Sequence, residues 1–273
     1  MTKWNLIFDA DRCNNCNNCL LAVKDEYVGN AFPGYSAPMP ATGAVWLNVA
    51  RKERGQAPMI DVSHYVDTCM NCREPACVNA QTDGVVHQRD DGIVLIDPVA
   101  AKGRKDIVAA CPYGHIHWNA ELDLPQKWTL DAHLLDAGWS EPRAAQVCPT
   151  SALTILKAED DAMDARVAAG ELSPRGGSTG PRLFDKNFER VTKCFLGATV
   201  TVQRGDLEDC AEGIAVQLKR DGVVIAGQTT DAFGDFKFDG LEGQGETYEI
   251  VIGQRTIDVT LNDSRYLGTF TST

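Results

Sequence analysis

Cys13-Asn14-Asn15-Cys16-Asn17-Asn18-Cys19 and Cys69-Met70-Asn71-Cys72-Arg73-Glu74-Pro75-Ala76-Cys77 decide how this sequence is read. The first is a C-x2-C-x2-C triplet and the second a C-x2-C-x4-C triplet. Two isolated cysteines follow, each ahead of a proline: Cys111-Pro112 and Cys148-Pro149. Eight of the ten cysteines therefore fall between Cys13 and Cys148, and only Cys194 and Cys210 lie beyond. Met1 to Arg12 holds a short strand-like run (Trp4, Leu6, Ile7, Phe8) but neither a basic n-region nor a long apolar h-region, so no export signal is read there. The expected compartment is the cytoplasm. Thiols are kept reduced there, so clustered cysteines read as metal ligands before disulfides.

Bacterial ferredoxins carry C-x2-C-x2-C-x3-C-P, in which three thiolates wrap one cubane and the fourth, before proline, crosses to the other cluster. Here the triplets and the Cys-Pro units are separated, leaving three ligands plus one, twice. That stoichiometry fits two [4Fe-4S] clusters and consumes all eight cysteines. The positions where further ligands would stand are replaced in two sets of four: Gln81, Ala101, Arg104 and Ile107, and Val23, Trp128, Asp131 and Ala144. That pattern is what the loss of whole clusters, not of single ligands, is expected to leave. Spacing alone leaves open which Cys-Pro unit completes which triplet. The competing reading of either triplet is structural zinc, recruiting His64 or His87; it is disfavoured because zinc sites usually use paired C-x2-C units. Cys194 and Cys210 read as buried or free thiols. His115 and His117 alternate along an expected strand, one packed and one exposed, and no nucleophile, base and orienting group come together in the sequence.

The chain of 273 residues has a formal net charge of -12, which argues against nucleic acid, because such binding draws its affinity from Lys and Arg at phosphates. No apolar run approaches the roughly 20 residues of a membrane span. Short strands and helical pieces fill the first part: a strand at Gly92 to Asp97 ended by Pro98, a helix over 100–110 leading to Cys111, and strands near 115–118 and 152–156. Residues 158–172 read as an acidic helix and Pro174 to Pro181 as an irregular connector. From about Thr192 the texture changes to some seven strands with turn signals, including Asp221-Gly222 as a hairpin turn. The fold class is therefore α+β: a tandem ferredoxin-like 4Fe-4S domain over 1–157, a linker over 158–191 and a small all-β sandwich of immunoglobulin or prealbumin-like type over 192–273.

The triplets, Asp91 to Pro98 leading to Cys111-Pro112-Tyr113-Gly114, and Val147-Cys148-Pro149-Thr150-Ser151 resemble the iron–sulfur subunits of the dimethyl sulfoxide reductase family of molybdopterin enzymes. Pro33-Gly34-Tyr35-Ser36, Arg51-Lys52-Glu53-Arg54-Gly55, Trp118-Asn119, Ala132 to Asp136 and Phe233 to Asp239 narrow the resemblance to the small subunits of the pyrogallol–phloroglucinol transhydroxylase and resorcinol hydroxylase type. That resemblance spans nearly the whole chain. It implies a non-catalytic, electron-transferring subunit of an oxidoreductase, paired as a heterodimer with a large catalytic subunit. The large subunit would carry molybdenum with two pterin guanine dinucleotides and act on polyhydroxylated phenols. The resemblance also implies ligand sets: Cys13, Cys16, Cys19 and Cys148 for one cluster, and Cys69, Cys72, Cys77 and Cys111 for the other. The transhydroxylase type is expected to hold three clusters; the one absent here corresponds to Val23, Trp128, Asp131 and Ala144. Residues 158–191 would pack on the partner. A free-standing ferredoxin-like carrier and a zinc-stabilised interaction module remain as alternatives.

Overall fold

Strand β1 (Lys3–Asp9) buries Asn5, Leu6, Ile7 and Phe8 in succession, because it is an inner strand of a four-stranded sheet and is covered on both faces. Its neighbours come from far along the chain. A computed structural model describes residues 1–272. In chain order β1 is followed by α1 (Asn18–Tyr27), a two-stranded pair β2 (Leu47–Gln56) and β3 (Met59–Thr68), and α2 (Ala76–Asn79). Next come the ribbon β4 (Val86–Gln88) and β5 (Val94–Ile96), α3 (Asp106–Ala109), and the ribbon β6 (His117–Asn119) and β7 (Leu124–Gln126). The short helices α4 (Ala132–Asp136) and α5 (Arg143–Gln146), β8 (Leu153–Ala158), α6 (Asp160–Ala168), β9 (Ser173–Pro174) and β10 (Leu183–Lys186) complete this part.

The sheet runs β8-β1-β10-β9, with β8 antiparallel and β10 parallel to β1. Met163 of α6 packs with Ile7, Leu172 and Phe184 over one face. Residues 158–188, expected as a linker, thus supply a helix and two strands of the first sheet. The helix expected over 100–110 is only the single turn α3, because Pro98 precedes it and Gly103 sits at φ 77, a left-handed conformation that ends a right-handed helix. The acidic helix is shorter than expected at both ends, and the strand at Gly92 to Pro98 contracts to β5.

The chain divides into two compact units: residues 1–50 with 64–188, and residues 51–63 with 189–273. The first unit runs on to residue 188, past the expected limit at 157, the second resumes at 189, close to the expected 192, and the tip of the β2–β3 pair belongs to the second unit. After α7 (Glu189–Thr192) come β11 (Cys194–Arg204), β12 (Leu207–Cys210), β13 (Ala215–Arg220), β14 (Val223–Thr229), β15 (Asp235–Leu241), β16 (Glu246–Ile252), β17 (Arg255–Leu261) and β18 (Arg265–Ser272). One sheet pairs β11 with β12, β15 and β18, and the other runs β14-β13-β16-β17. Inward residues alternate along β13 (Val216, Leu218), β15 (Phe236, Phe238) and β16 (Tyr248, Ile250, Ile252), and both sheets bury them in one shared core. The strand that sequence reading missed is β12, whose four residues are all exposed and show no alternation.

Within the second unit Arg54 is buried. It donates to Asp61 at 3.0 Å, to both carboxylate oxygens of Asp239 at 2.8 and 2.9 Å, and to the Lys193 carbonyl at 3.0 Å.

Candidate iron–sulfur sites

Asn15 and Asn71 each stand immediately before the second cysteine of their triplet, and both adopt positive φ, 58° and 43°. Asparagine tolerates this left-handed region better than most residues, and one such residue curls a C-x2-C loop back on itself. Asn17 adds a second left-handed residue in the first triplet, at φ 61°. The Asn71 side chain is buried and accepts the Val94 N–H at 3.0 Å, which ties the second triplet to β5. The Cys-Pro units repeat a shape as well. Three residues after each cysteine the chain turns left-handed, at Gly114 (φ 73°) and Ser151 (φ 51°). Their N–H groups return to the Cys111 and Cys148 carbonyls at 3.2 and 3.1 Å. The two halves therefore build their loops by the same device, as a duplicated ferredoxin-like unit does.

Cys13, Cys16, Cys19 and Cys148 line one cavity. Phe8 and Leu153, register partners on β1 and β8, wall it, so the pairing of those strands carries the last cysteine toward the first triplet. Cys69, Cys72, Cys77 and Cys111 line a second cavity, whose wall includes Val94 and Ile116. Cys77 and Cys111 pack against the small apolar core of Val86, Val94, Ile96 and Ile107.

Around a single zinc ion, Zn–S bonds of about 2.3 Å put tetrahedral thiolates about 3.8 Å apart. Among the described residues no three Cys, His, Asp or Glu side chains converge in the way one ion requires. Four thiols line each of two cavities, which matches in number the four thiolates that a [4Fe-4S] cluster takes.

The thiols feel one another within each set. Burial pushes the Cys19 thiol up to about 11, with repulsion from Cys148, Cys13 and Cys16 adding to it. Burial likewise pushes Cys77 up to about 11, with the nearby Lys127 ammonium opposing and Cys69, Cys111 and Cys72 reinforcing the rise. Cys13 and Cys72 rise for the same leading reason, loss of water. Cys148 moves the other way: burial raises it, but the N–H groups of Leu153 and Ala152 and the Thr150 hydroxyl outweigh that. Iron binding must expel these protons.

Hydrogen bonds to sulfur surround both rings. The His115 N–H donates to Cys111 Sγ at 3.4 Å, the Thr150 hydroxyl lies 3.8 Å from Cys148 Sγ, and Thr179 hydrogen-bonds Cys72. Thr179 is held in turn by the Tyr113 hydroxyl at 2.7 Å. Neither Thr179 nor Lys127 was read as a site residue. Thr179 lies in the irregular stretch Pro174 to Pro181, and Lys127 is the one charged residue of the buried stretch 124–130.

Six of the eight replaced ligand positions are buried, and Gln81 and Arg104 are partly exposed. Val23, Trp128, Asp131 and Ala144 are fully buried. Asp131 accepts from Trp128 Nε1 at 2.8 Å, the Tyr27 hydroxyl at 2.9 Å and the Arg143 N–H at 2.9 Å. Burial nonetheless holds its carboxyl above the usual range. In the other set Ala101 and Ile107 are buried, while Arg104 donates to Gln81 and to Asp83 at 2.6 Å and Asp106 at 2.9 Å.

Residues 60–158 match the 4Fe-4S dicluster domain family. That match, together with the two thiol rings, defines the class: an iron–sulfur subunit with a ferredoxin-like dicluster domain. Over 256 residues the chain is 41% identical to the pyrogallol hydroxytransferase small subunit of Pelobacter acidigallici, covering 92% of this chain and 91% of that one. The chain belongs to the family of that small subunit. It is also 29% identical to a sulfite dehydrogenase subunit of Allochromatium vinosum, over 65% of this chain and 77% of that one. A probable anaerobic dimethyl sulfoxide reductase chain of Escherichia coli is 27% identical over 68% of this chain and 89% of that one. No helix among the described residues is long and apolar enough to cross a membrane.

Proposed function

We propose that this chain binds two [4Fe-4S] clusters, one on Cys13, Cys16, Cys19 and Cys148 and one on Cys69, Cys72, Cys77 and Cys111. It serves as the electron-transferring, non-catalytic subunit of a cytoplasmic molybdenum enzyme. Its partner is a large subunit carrying molybdenum and two pterin guanine dinucleotides, where polyhydroxylated phenols such as pyrogallol or resorcinol react. The observation that carries this reading is the presence of two cavities, each lined by three cysteines of a triplet and one Cys-Pro cysteine.

A bound cluster supplies a one-electron carrier whose potential follows ligation, hydrogen bonding to sulfur and burial. The chain's own residues do the rest. The eight thiolates hold iron, and the His115 N–H and the Thr150 and Thr179 hydroxyls spread charge away from sulfur. Phe8, Val49, Val66, Leu153 and Ile116 keep water from the cavities. The fully buried Asp131 network, and the absence of cysteine from both replaced sets, support a count of two clusters. The second unit is an immunoglobulin or prealbumin-like sandwich in this reading, and residues 158–188 provide a surface for the large subunit.

Cysteine-to-serine pairs test the ligand sets through anaerobic iron content. Cys19→Ser removes one cluster, about four irons. Adding Cys148→Ser removes no more, whereas adding Cys111→Ser removes the second cluster too. The reverse pattern overturns the assignment. For the assembled complex, turnover of pyrogallol with a tetrahydroxybenzene co-substrate indicates transhydroxylation, and turnover of resorcinol with an electron acceptor indicates oxidative hydroxylation. Activity on neither removes the phenol reading.

A further inference from the structure

The two cavities share a shape and a ligand count but differ in charge. Lys127 is 3% exposed and lines the cavity of Cys69, Cys72, Cys77 and Cys111. An ammonium has three N–H donors, and one of these goes to the Trp128 carbonyl at 3.1 Å. Among the described residues no Asp or Glu lines the same cavity. His115 also lines it, its Nε2 lying 3.6 Å from Asp67, and Lys127 is the one Lys or Arg side chain among the described residues of the wall. The Tyr113–Thr179 hydroxyl pair adds a second source of positive potential, reaching Cys72.

The cavity of Cys13, Cys16, Cys19 and Cys148 has no Lys, Arg, Asp or Glu among the described residues of its wall; Phe8, Val49, Val66, Ala152 and Leu153 line it instead. A cation behind that wall, Arg175, stacks over Phe8 at 5.8 Å and is neutralised by the buried Asp185, whose carboxylate accepts its Nε–H at 2.9 Å.

We propose that Lys127 makes the cavity of Cys69, Cys72, Cys77 and Cys111 the electron sink of the chain, its cluster reducing at a higher potential than the cluster of the other cavity. The inference rests on the two-cluster reading above. Reduction adds one electron and one negative charge to the cluster, and no bond or proton changes hands. A desolvated cation on the wall stabilises that extra charge, and the wall of the other cavity has no counterpart among the described residues. Lys127 acts through the field at the cluster and is a positioning residue.

The test is an anaerobic redox titration of the holoprotein followed by EPR, in wild type, Lys127→Met and Lys127→Arg, with Cys19→Ser and Cys77→Ser assigning the signals. In wild type the two couples should differ by at least tenfold in reduction equilibrium, 59 mV for one electron. The higher couple should be the one lost or altered in Cys77→Ser. Lys127→Met should lower that couple by at least tenfold and leave the other unmoved, while Lys127→Arg keeps both near wild type. Unchanged couples in Lys127→Met, or a higher couple that survives Cys77→Ser, overturn the proposal. Where Lys127→Met fails to load iron, the wild-type titration with the two cysteine variants still decides it. Absence of both EPR signals in iron-replete wild type would instead refute the two-cluster reading itself.

Discussion

Replacing Arg54 by methionine removes a buried guanidinium while keeping an apolar stem against Phe195, over whose ring the guanidinium lies at 5.4 Å. Arg54 is 1% exposed and is shared between Asp61, which is 15% exposed, and Asp239. Breaking a buried pair by removing one partner costs about 3–5 kcal/mol, because it leaves a charge uncompensated. The lower end applies here, since Asp61 keeps Arg190 and Asp239 keeps Lys237 at 2.9 Å. The same residues set a pH dependence. Burial raises the Asp61 carboxyl, but hydrogen bonds from Arg190 and Arg54 outweigh it and hold the group at about 2 against an ordinary 3.8. At about 1.4 kcal/mol per unit, that difference contributes roughly 2 kcal/mol of stability. The folded value is depressed, so the contribution is complete above pH 4 and is lost as pH falls toward 2. Arg54→Met should therefore weaken the second unit by about 3 kcal/mol at pH 7, and the gap to wild type should narrow between about pH 4 and 2. Hydrogen exchange read by mass spectrometry over residues 51–63 and 235–241 measures this locally. A gap below about 1 kcal/mol at pH 7, or one that does not change with pH, refutes the reasoning.

Asp131→Ala leaves Trp128 Nε1, the Tyr27 hydroxyl and the Arg143 N–H without their acceptor in a fully buried site. It should cost about 1–3 kcal/mol in urea unfolding monitored by tryptophan fluorescence. Asn71→Ala loses the bond to the Val94 N–H and forces alanine to φ 43°. Iron loading of the Cys69 cavity should fall in that variant while the Cys19 cavity stays loaded, and Asn71→Gly should lose less because glycine accepts that conformation.

Much of the site was legible because its information is local. The triplets, the Cys-Pro units and the eight replaced positions are read from spacing alone, and the αL asparagines explain how such spacing closes into a loop. Which Cys-Pro cysteine faces which triplet is not local. It follows from β8 pairing with β1, Phe8 opposite Leu153, across nearly 150 residues of chain. That the first unit runs on to residue 188 is not local either. Leu183 joins Leu6 in a parallel register that no turn signal announces, and the Pro- and Gly-rich approach to it looks like a connector. The β2–β3 pair was also not read as strands, because Arg51-Lys52-Glu53-Arg54 carries four consecutive charges and the buried Arg54 is matched by residues distant in sequence. The sandwich was readable because β13, β15 and β16 alternate, whereas in β12 nothing is buried.

The central claim is that eight cysteines hold two clusters in an accessory subunit. Iron, zinc and acid-labile sulfide per chain, measured anaerobically on the complex with molybdenum assayed in the same sample, test it most directly. The account predicts about eight iron and eight sulfide per chain. Molybdenum should be present only when the large subunit copurifies. Zinc without sulfide, or about twelve or more iron, would contradict it.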